Sequence, residues 1–263
     1  MFNYKSLYPE DHFKGGFSNF EFVIENGLLV LRKSLKMGSG NEMDHFEKEV
    51  KSLEKLADVP YTPNLVRYDL DCDIPYIDYE PFLGINFLNF ISAVKNPLEH
   101  IGLVKKTVSV VGYLHSYGFV HRDLNPRNIF LGLTFSEYNP IITDFGLALH
   151  SDIVDGHEKP AGTPCCASPE QIRTISLGPR SDIYSLGVLM YKLFTKRFPF
   201  QGKKQDVLVA HLCRVPRLPW DIDTNIPWGL SQIVMKCLEK RPKDRYQTCS
   251  ELHDALDAYE KSL

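Results

Sequence analysis

The stretch His121-Arg122-Asp123-Leu124-Asn125-Pro126-Arg127-Asn128 decides how this chain is read. It is dense in charged and amide side chains, yet it lies between two short apolar runs, Gly118-Phe119-Val120 before it and Ile129-Phe130-Leu131 after it. Apolar runs of this length, bounded by turn residues, read as buried strands. The polar residues between them then occupy a loop held at both ends. A third run, Ile141-Ile142-Thr143, leads into Asp144-Phe145-Gly146. Two carboxylates and an amide, at Asp123, Asp144 and Asn128, are thereby placed beside apolar segments that can hold them rigid.

Working outward, Asn19 to Ile24 and Leu28 to Leu31 flank Asn26-Gly27, the dipeptide favoured in two-residue type I′ turns, and predict a β-hairpin. Met43, Phe46, Val50, Leu53 and Leu56 recur at helical spacing, with Asp44 early and Lys51 and Lys55 late, as the helix dipole favours. Tyr76 to Phe82 reads as a further strand, broken by Pro81 and Leu83-Gly84. From about Leu83 the pattern turns helical. One helix is marked by Ile101, Val104, Val108, Val111 and His115, and a second by Ile183, Leu186, Met190 and Phe194 with Ser181 as its N-cap. Leu230 to Leu238 and Leu252 to Tyr259 predict two more. The expected fold is α+β and two-lobed: a strand-rich lobe over about residues 1–82, a hinge at about 80–84 and a mainly helical lobe over about 85–263. Clefts between such lobes commonly bind ligands.

The chain has 263 residues, 43% hydrophobic and 24% charged, which is the composition of a globular protein with a sizeable core. A net charge of -3 carries no basic footprint for nucleic acid or an anionic membrane surface. Met1 to Gly16 has no apolar core of signal-peptide type, and no stretch approaches a spanning helix. The six cysteines follow no metal-ligand spacing. These features read as a reduced, cytoplasmic protein without a membrane segment.

The order H-R-D-L-x-x-x-N, then D-F-G, then a Pro-Glu motif, here Ser168-Pro169-Glu170, resembles the protein kinase catalytic domain. A fixed tripeptide arises by chance on the order of once per 8,000 positions, so several in order are specific. Gly162-Thr163 through Glu170 is similar to the end of an activation segment, and Ser181-Asp182-Ile183-Tyr184-Ser185-Leu186-Gly187 to the start of the buried helix below the catalytic loop. The resemblance spans nearly the whole chain, and its wording is similar to bacterial Ser/Thr kinases. It implies that Asp182 holds the backbone of the His-Arg-Asp turn and that Arg245 pairs with Glu170. It also implies transfer of the γ-phosphate of ATP with Mg²⁺, Mn²⁺ being an acceptable substitute, to Ser or Thr hydroxyls of proteins, autophosphorylation in trans included. Two hard-oxygen ligands suffice for such ions, and Asn128 and Asp144 supply them. Asp123 would orient the attacking hydroxyl and Arg127 would offer charge to the phosphate.

In the first lobe the glycine loop overlays on Phe13 to Phe20, with Gly15 and Gly16 as phosphate cradle and Phe20 as adenine roof. If Asn26-Gly27 is a two-residue turn, Glu25 faces Leu28 and Phe20 faces Lys33. Directly opposed residues share a face, so Lys33, rather than Arg32, lies with Phe20, and Leu31 lies beneath adenine. A bulge would exchange Arg32 for Lys33. Glu49 is the helix carboxylate expected to meet Lys33, with Glu47 as the alternative. Tyr79, Glu80 and Phe82 align with the gatekeeper and hinge, where the Glu80 carbonyl and Phe82 backbone would read adenine.

The sequence also departs from the pattern. Asn125 stands where Ser/Thr kinases carry lysine, while Arg127 matches the tyrosine-kinase arrangement. Thr163 argues for Ser/Thr specificity, being placed like the threonine that bonds the catalytic aspartate. Cys166 replaces a customary tyrosine; packing is the reading for Cys165-Cys166, and a redox switch is its alternative. Arg122 suggests a segment ordered by a phosphate or an acidic group, with Ser151 as the regulatory site. Two other functions compete: a pseudokinase scaffold, favoured by the eroded glycine loop, and a small-molecule phosphotransferase of the choline or aminoglycoside kind.

Overall fold

The computed structural model describes residues 18–36, 42–57, 59–82, 84–133, 138–150, 162–175 and 177–262. In chain order these form β1 (Ser18–Glu25), β2 (Leu28–Leu35), α1 (Glu42–Lys55), β3 (Leu65–Asp69), β4 (Tyr76–Tyr79), β5 (Gly84–Asn86), α2 (Phe87–Ala93) and α3 (Ile101–Ser116). There follow β6 (Phe119–Val120), β7 (Ile129–Leu133), β8 (Tyr138–Ile142), β9 (Leu149–His150), α4 (Pro169–Arg173), α5 (Pro179–Thr195), α6 (Lys204–Cys213), α7 (Pro219–Ile222), α8 (Trp228–Cys237) and α9 (Cys249–Glu260). Two compact units result, one drawn from Met1–Asn86 and Ile129–Ala148, the other from Phe87–Asn128 and Leu149–Leu263. The segment Ile129–Ala148 thus belongs with the strand-rich unit, although it follows the first long helix of the other.

The strand-rich unit carries an antiparallel sheet in the order β1-β2-β4-β3. Asn26 (φ 54) and Gly27 (φ 80) both take positive φ, the geometry a type I′ turn demands. The turn sets the register Glu25↔Leu28 through Phe20↔Lys33 with no bulge. Alternation then sorts β2 by face: Leu31 and Lys33 are buried and Arg32 is turned to the opposite side. Helix α1 buries Phe46, Glu49, Val50 and Leu53 along one stripe. Strand β4 ends at Tyr79, three residues short of the sequence expectation of Phe82. The Glu80 N–H leaves the ladder to bond the Asn64 carbonyl (2.9 Å), and Pro81 has no N–H to give. A second sheet, β5-β7-β8, carries Asp144 just beyond its last strand.

The helical unit is built around α5, whose residues Ser181 to Tyr191 are all buried. A helix apolar all round belongs in a core. The Ser181 cap expected from the sequence is corrected: α5 starts at Pro179, with Gly178 at the cap position and Ser181 inside the first turn. Proline fits there because its missing N–H is one the helix could not have satisfied. Ser181 Oγ instead donates to Glu170 Oε1 at 2.8 Å. Helix α6 went unmarked by periodicity because it buries only Val207, Ala210 and His211.

Candidate active site

In the strand-rich unit, Lys33 Nζ lies 2.5 Å from Glu49 Oε2 and 3.1 Å from Asp144 Oδ1. Burial alone would lower the pKa of this ammonium, but the Asp144 and Glu49 carboxylates overcome it and hold Lys33 well above the ordinary lysine value. Glu49 Oε1 accepts from the Tyr79 hydroxyl (2.9 Å), and burial beside that carboxylate pushes the phenol pKa well up. The sequence aligns Tyr79 with the gatekeeper and says nothing of Glu49; that bond follows from how β4 and α1 are placed. The alternatives go elsewhere. Arg32 bonds Asp78 and Glu25 on the far face, and Glu47 meets Lys51 at the surface.

Phe20 lies beside Lys33, its ring centroid 5.7 Å from Nζ, and Leu31 is buried on the same face. Glu80 is exposed and accepts from Asn64 Nδ2, while Phe82 packs edge-on against Phe130. Asp144 takes a left-handed conformation (φ 68) ahead of the fully buried Phe145, a strained state of order 1–3 kcal/mol for a residue with a Cβ. Its side chain stays 45% exposed. Gly15 and Gly16 lie outside the described residues, as does Ser151.

In the helical unit the His121-Arg122-Asp123 turn is held from below. Asp182 accepts from the His121 N–H (2.8 Å) and the Arg122 N–H (3.0 Å), and contacts His115 Nε2 at 2.9 Å. Despite full burial, those partners keep its carboxyl below the usual carboxylate range. Arg122 has φ 67, and Gln171 Nε2 donates to its carbonyl. Gly162, at φ 102, passes that same carbonyl so closely that a Cβ would stand 2.9 Å from it. Asp123 is fixed at both oxygens: Oδ1 accepts from the Thr163 N–H (2.7 Å) and Oδ2 from Asn128 Nδ2 (3.0 Å). Thr163 therefore meets Asp123 through its backbone, and its hydroxyl accepts from Asn125 Nδ2 at 3.0 Å. Asn125 also donates to the Asp123 carbonyl and accepts from the Arg127 N–H. It braces the loop where a lysine was expected, a role its residue type alone did not reveal.

Downstream, Glu170 receives both arms of the Arg245 guanidinium at 2.7 and 2.8 Å. Burial opposes the charge, but Arg245 prevails and lowers the Glu170 pKa. Cys166 is buried, its N–H bonded to the Thr163 carbonyl and its carbonyl to Ser185 Oγ.

The sequence model of the Protein kinase domain family matches residues 14–256. Serine/threonine-protein kinase PrkC of Bacillus subtilis is 30% identical over 90% of this chain and 38% of its own length. A probable serine/threonine-protein kinase of Clostridium perfringens is 32% identical over 82% of this chain and 32% of its own. Serine/threonine-protein kinase PknD of Chlamydia caviae is 35% identical over 60% and 19%. The chain therefore spans about a third of the length of the first two relatives. With nearly every position covered by the match, a buried Lys33–Glu49 pair in one unit and an Asp182-held turn in the other, this chain belongs to the protein kinase domain family.

Proposed function

We propose that this chain transfers the γ-phosphate of Mg·ATP to Ser or Thr hydroxyls of protein substrates, itself among them in trans. The observation that carries the reading is Lys33, fully buried and held charged between Glu49 and Asp144. A cation so fixed meets phosphate oxygens without reorganising. Phe20, Leu31, Tyr79, Glu80 and Phe82 would frame the nucleotide, with Gly15 and Gly16 over its phosphates. The residue types would suit a hard divalent ion: Asp144 would offer a carboxylate oxygen, and Asn128, whose amide nitrogen donates to Asp123, an amide oxygen. An ion held there would neutralise charge that develops in transfer. Asp123, already oriented by Thr163 and Asn128, would take up the substrate hydroxyl's hydrogen bond, and Arg127 would supply charge in place of the absent lysine.

Specificity for Ser and Thr is supported by relatives named for it. The same relatives leave the scaffold and small-molecule readings unfavoured. No helix among the described residues is long and apolar enough to cross a membrane. All six cysteines are free, which suits the cytoplasm as the place of reaction. The test is transfer of labelled phosphate from Mg·ATP to the chain and to a generic protein, followed by phosphoamino-acid analysis. Phosphoserine or phosphothreonine in wild type, absent with Asp144→Asn, is expected. Phosphotyrosine alone would overturn the specificity, and no label with nucleotide still bound would overturn the activity.

A further inference from the structure

The helical unit holds two adjacent thiols beside Asp123. Cys165 Sγ and Cys166 Sγ are 3.8 Å apart. Cys166 is buried, whereas Cys165 is partly exposed at the edge of an apolar cluster of Phe200, Val207 and Ala210. The two sulfurs are unlike. Either sulfur can donate in this contact; with Cys166 as its partner, Cys165 lies below the ordinary cysteine pKa, against burial and Asp123 and with help from the Arg127 cation. Cys166 is pushed well above it by that same partner and by burial. An accessible sulfur with thiolate character beside a second thiol is the arrangement of an attacking and a resolving cysteine.

We propose that Cys165 and Cys166 form a peroxide-sensitive dithiol whose closure releases the catalytic Asp123 from its Thr163 anchor. The Cys165 thiolate attacks a peroxide oxygen; the O–O bond breaks, sulfur is oxidised to the sulfenic acid, and the departing hydroxide or alkoxide takes a proton. Cys166 sulfur then attacks that sulfenic sulfur. The S–O bond breaks, the oxygen leaves as water with the thiol proton, and the S–S bond forms. The net change is two thiols and one peroxide to one disulfide, water, and a second water or an alcohol.

The coupling to Asp123 is short and continuous. Adjacent Cα atoms are about 3.8 Å apart, short of the roughly 4.4–6.8 Å that a disulfide ordinarily spans, so closing this ring twists the Cys165–Cys166 peptide. The Cys166 N–H bonds the Thr163 carbonyl at 2.9 Å, and the Thr163 N–H is the donor to Asp123 Oδ1 at 2.7 Å. A twist at residue 166 moves the turn that carries the anchor. Ser185 Oγ, on the buried α5, grips the Cys166 carbonyl at 2.9 Å, so the far side of that peptide cannot simply follow.

The loss of activity expected here rests on the phosphotransfer reading above; the chemistry and the release of Thr163 do not. Reduced wild type and Cys165→Ser would each be exposed to hydrogen peroxide, alkylated, and followed by peptide mass, by hydrogen exchange over 162–166 and by phosphotransfer. In wild type we expect both thiols protected from alkylation, a peptide lighter by two hydrogens, faster exchange at the Thr163 amide, and activity down by about 10²-fold, all restored by dithiothreitol. Cys165→Ser should hold its activity and exchange under peroxide. A Cys165 sulfinate with Cys166 still a thiol, or a disulfide with Thr163 exchange unchanged, would overturn the proposal. Reduced wild type that transfers no phosphate would overturn the functional reading instead, while mass and exchange still decide this one.

Discussion

Neighbouring residues on β2 do opposite work because a strand alternates its faces. Lys33 is buried between Glu49 and Asp144, and Arg32 completes a cluster with Asp78, Glu25 and Arg67 on the other side. Lys33→Met is expected to cut phosphotransfer by about 10²-fold or more, as removal of a preorganised charge does, measured as kcat/KM for ATP. Arg32→Met should instead leave nucleotide affinity unchanged and cost about 1–3 kcal/mol in denaturant unfolding, since Asp78 keeps Arg67. Tyr79→Phe removes one donor from a buried carboxylate and should cost about 1.5–3 kcal/mol by the same measurement. The choice of Lys33 over Arg32 was legible because a two-residue turn fixes every pair beyond it. The Tyr79–Glu49 bond was not, because it joins residues 30 apart whose approach depends on how a helix packs on a sheet.

At the scale of elements, loops are held by helices through buried charge. The α5 residue Asp182 carries the His121-Arg122-Asp123 turn, and Glu170 on α4 is locked to Arg245. Arg245→Met leaves Glu170 buried without its cation, and about 3–5 kcal/mol of stability should be lost, read from urea midpoints of the variant. Both pairings were implied by the resemblance to the protein kinase catalytic domain. The start of α5 was misread because Ser181 is a good cap residue in isolation, whereas Pro179 suits the first turn better and Glu170 engages the serine. Asn125 was legible only as an absence of lysine; its three-way bracing of the loop needs the position of Thr163.

For the molecule as a whole, pH tests the buried charges. Glu170 and Asp182 have lowered pKa values, so their stabilisation is present above the usual carboxylate range and is lost as pH falls through the folded values. His211 adds a loss at milder pH. Burial and the Lys240 cation push it down to about 4, from an unfolded value near 6.5. The unfolded chain then binds the extra proton, so stability should fall by up to about 3 kcal/mol between those values. His211→Gln should flatten that slope in urea unfolding across the same range. The two-lobed alternation of strands and helices was legible from periodicity, but membership of Ile129–Ala148 in the first unit was not, since a returning segment leaves no local mark. The Glu170–Arg245 pair closes over 75 residues of chain, and that span sets an order of events during synthesis. Until Arg245 clears the ribosome, Glu170 has no counter-ion to carry it into the core, so a nascent chain stalled before that point should remain protease-sensitive across its activation segment, however much of α5 has already emerged.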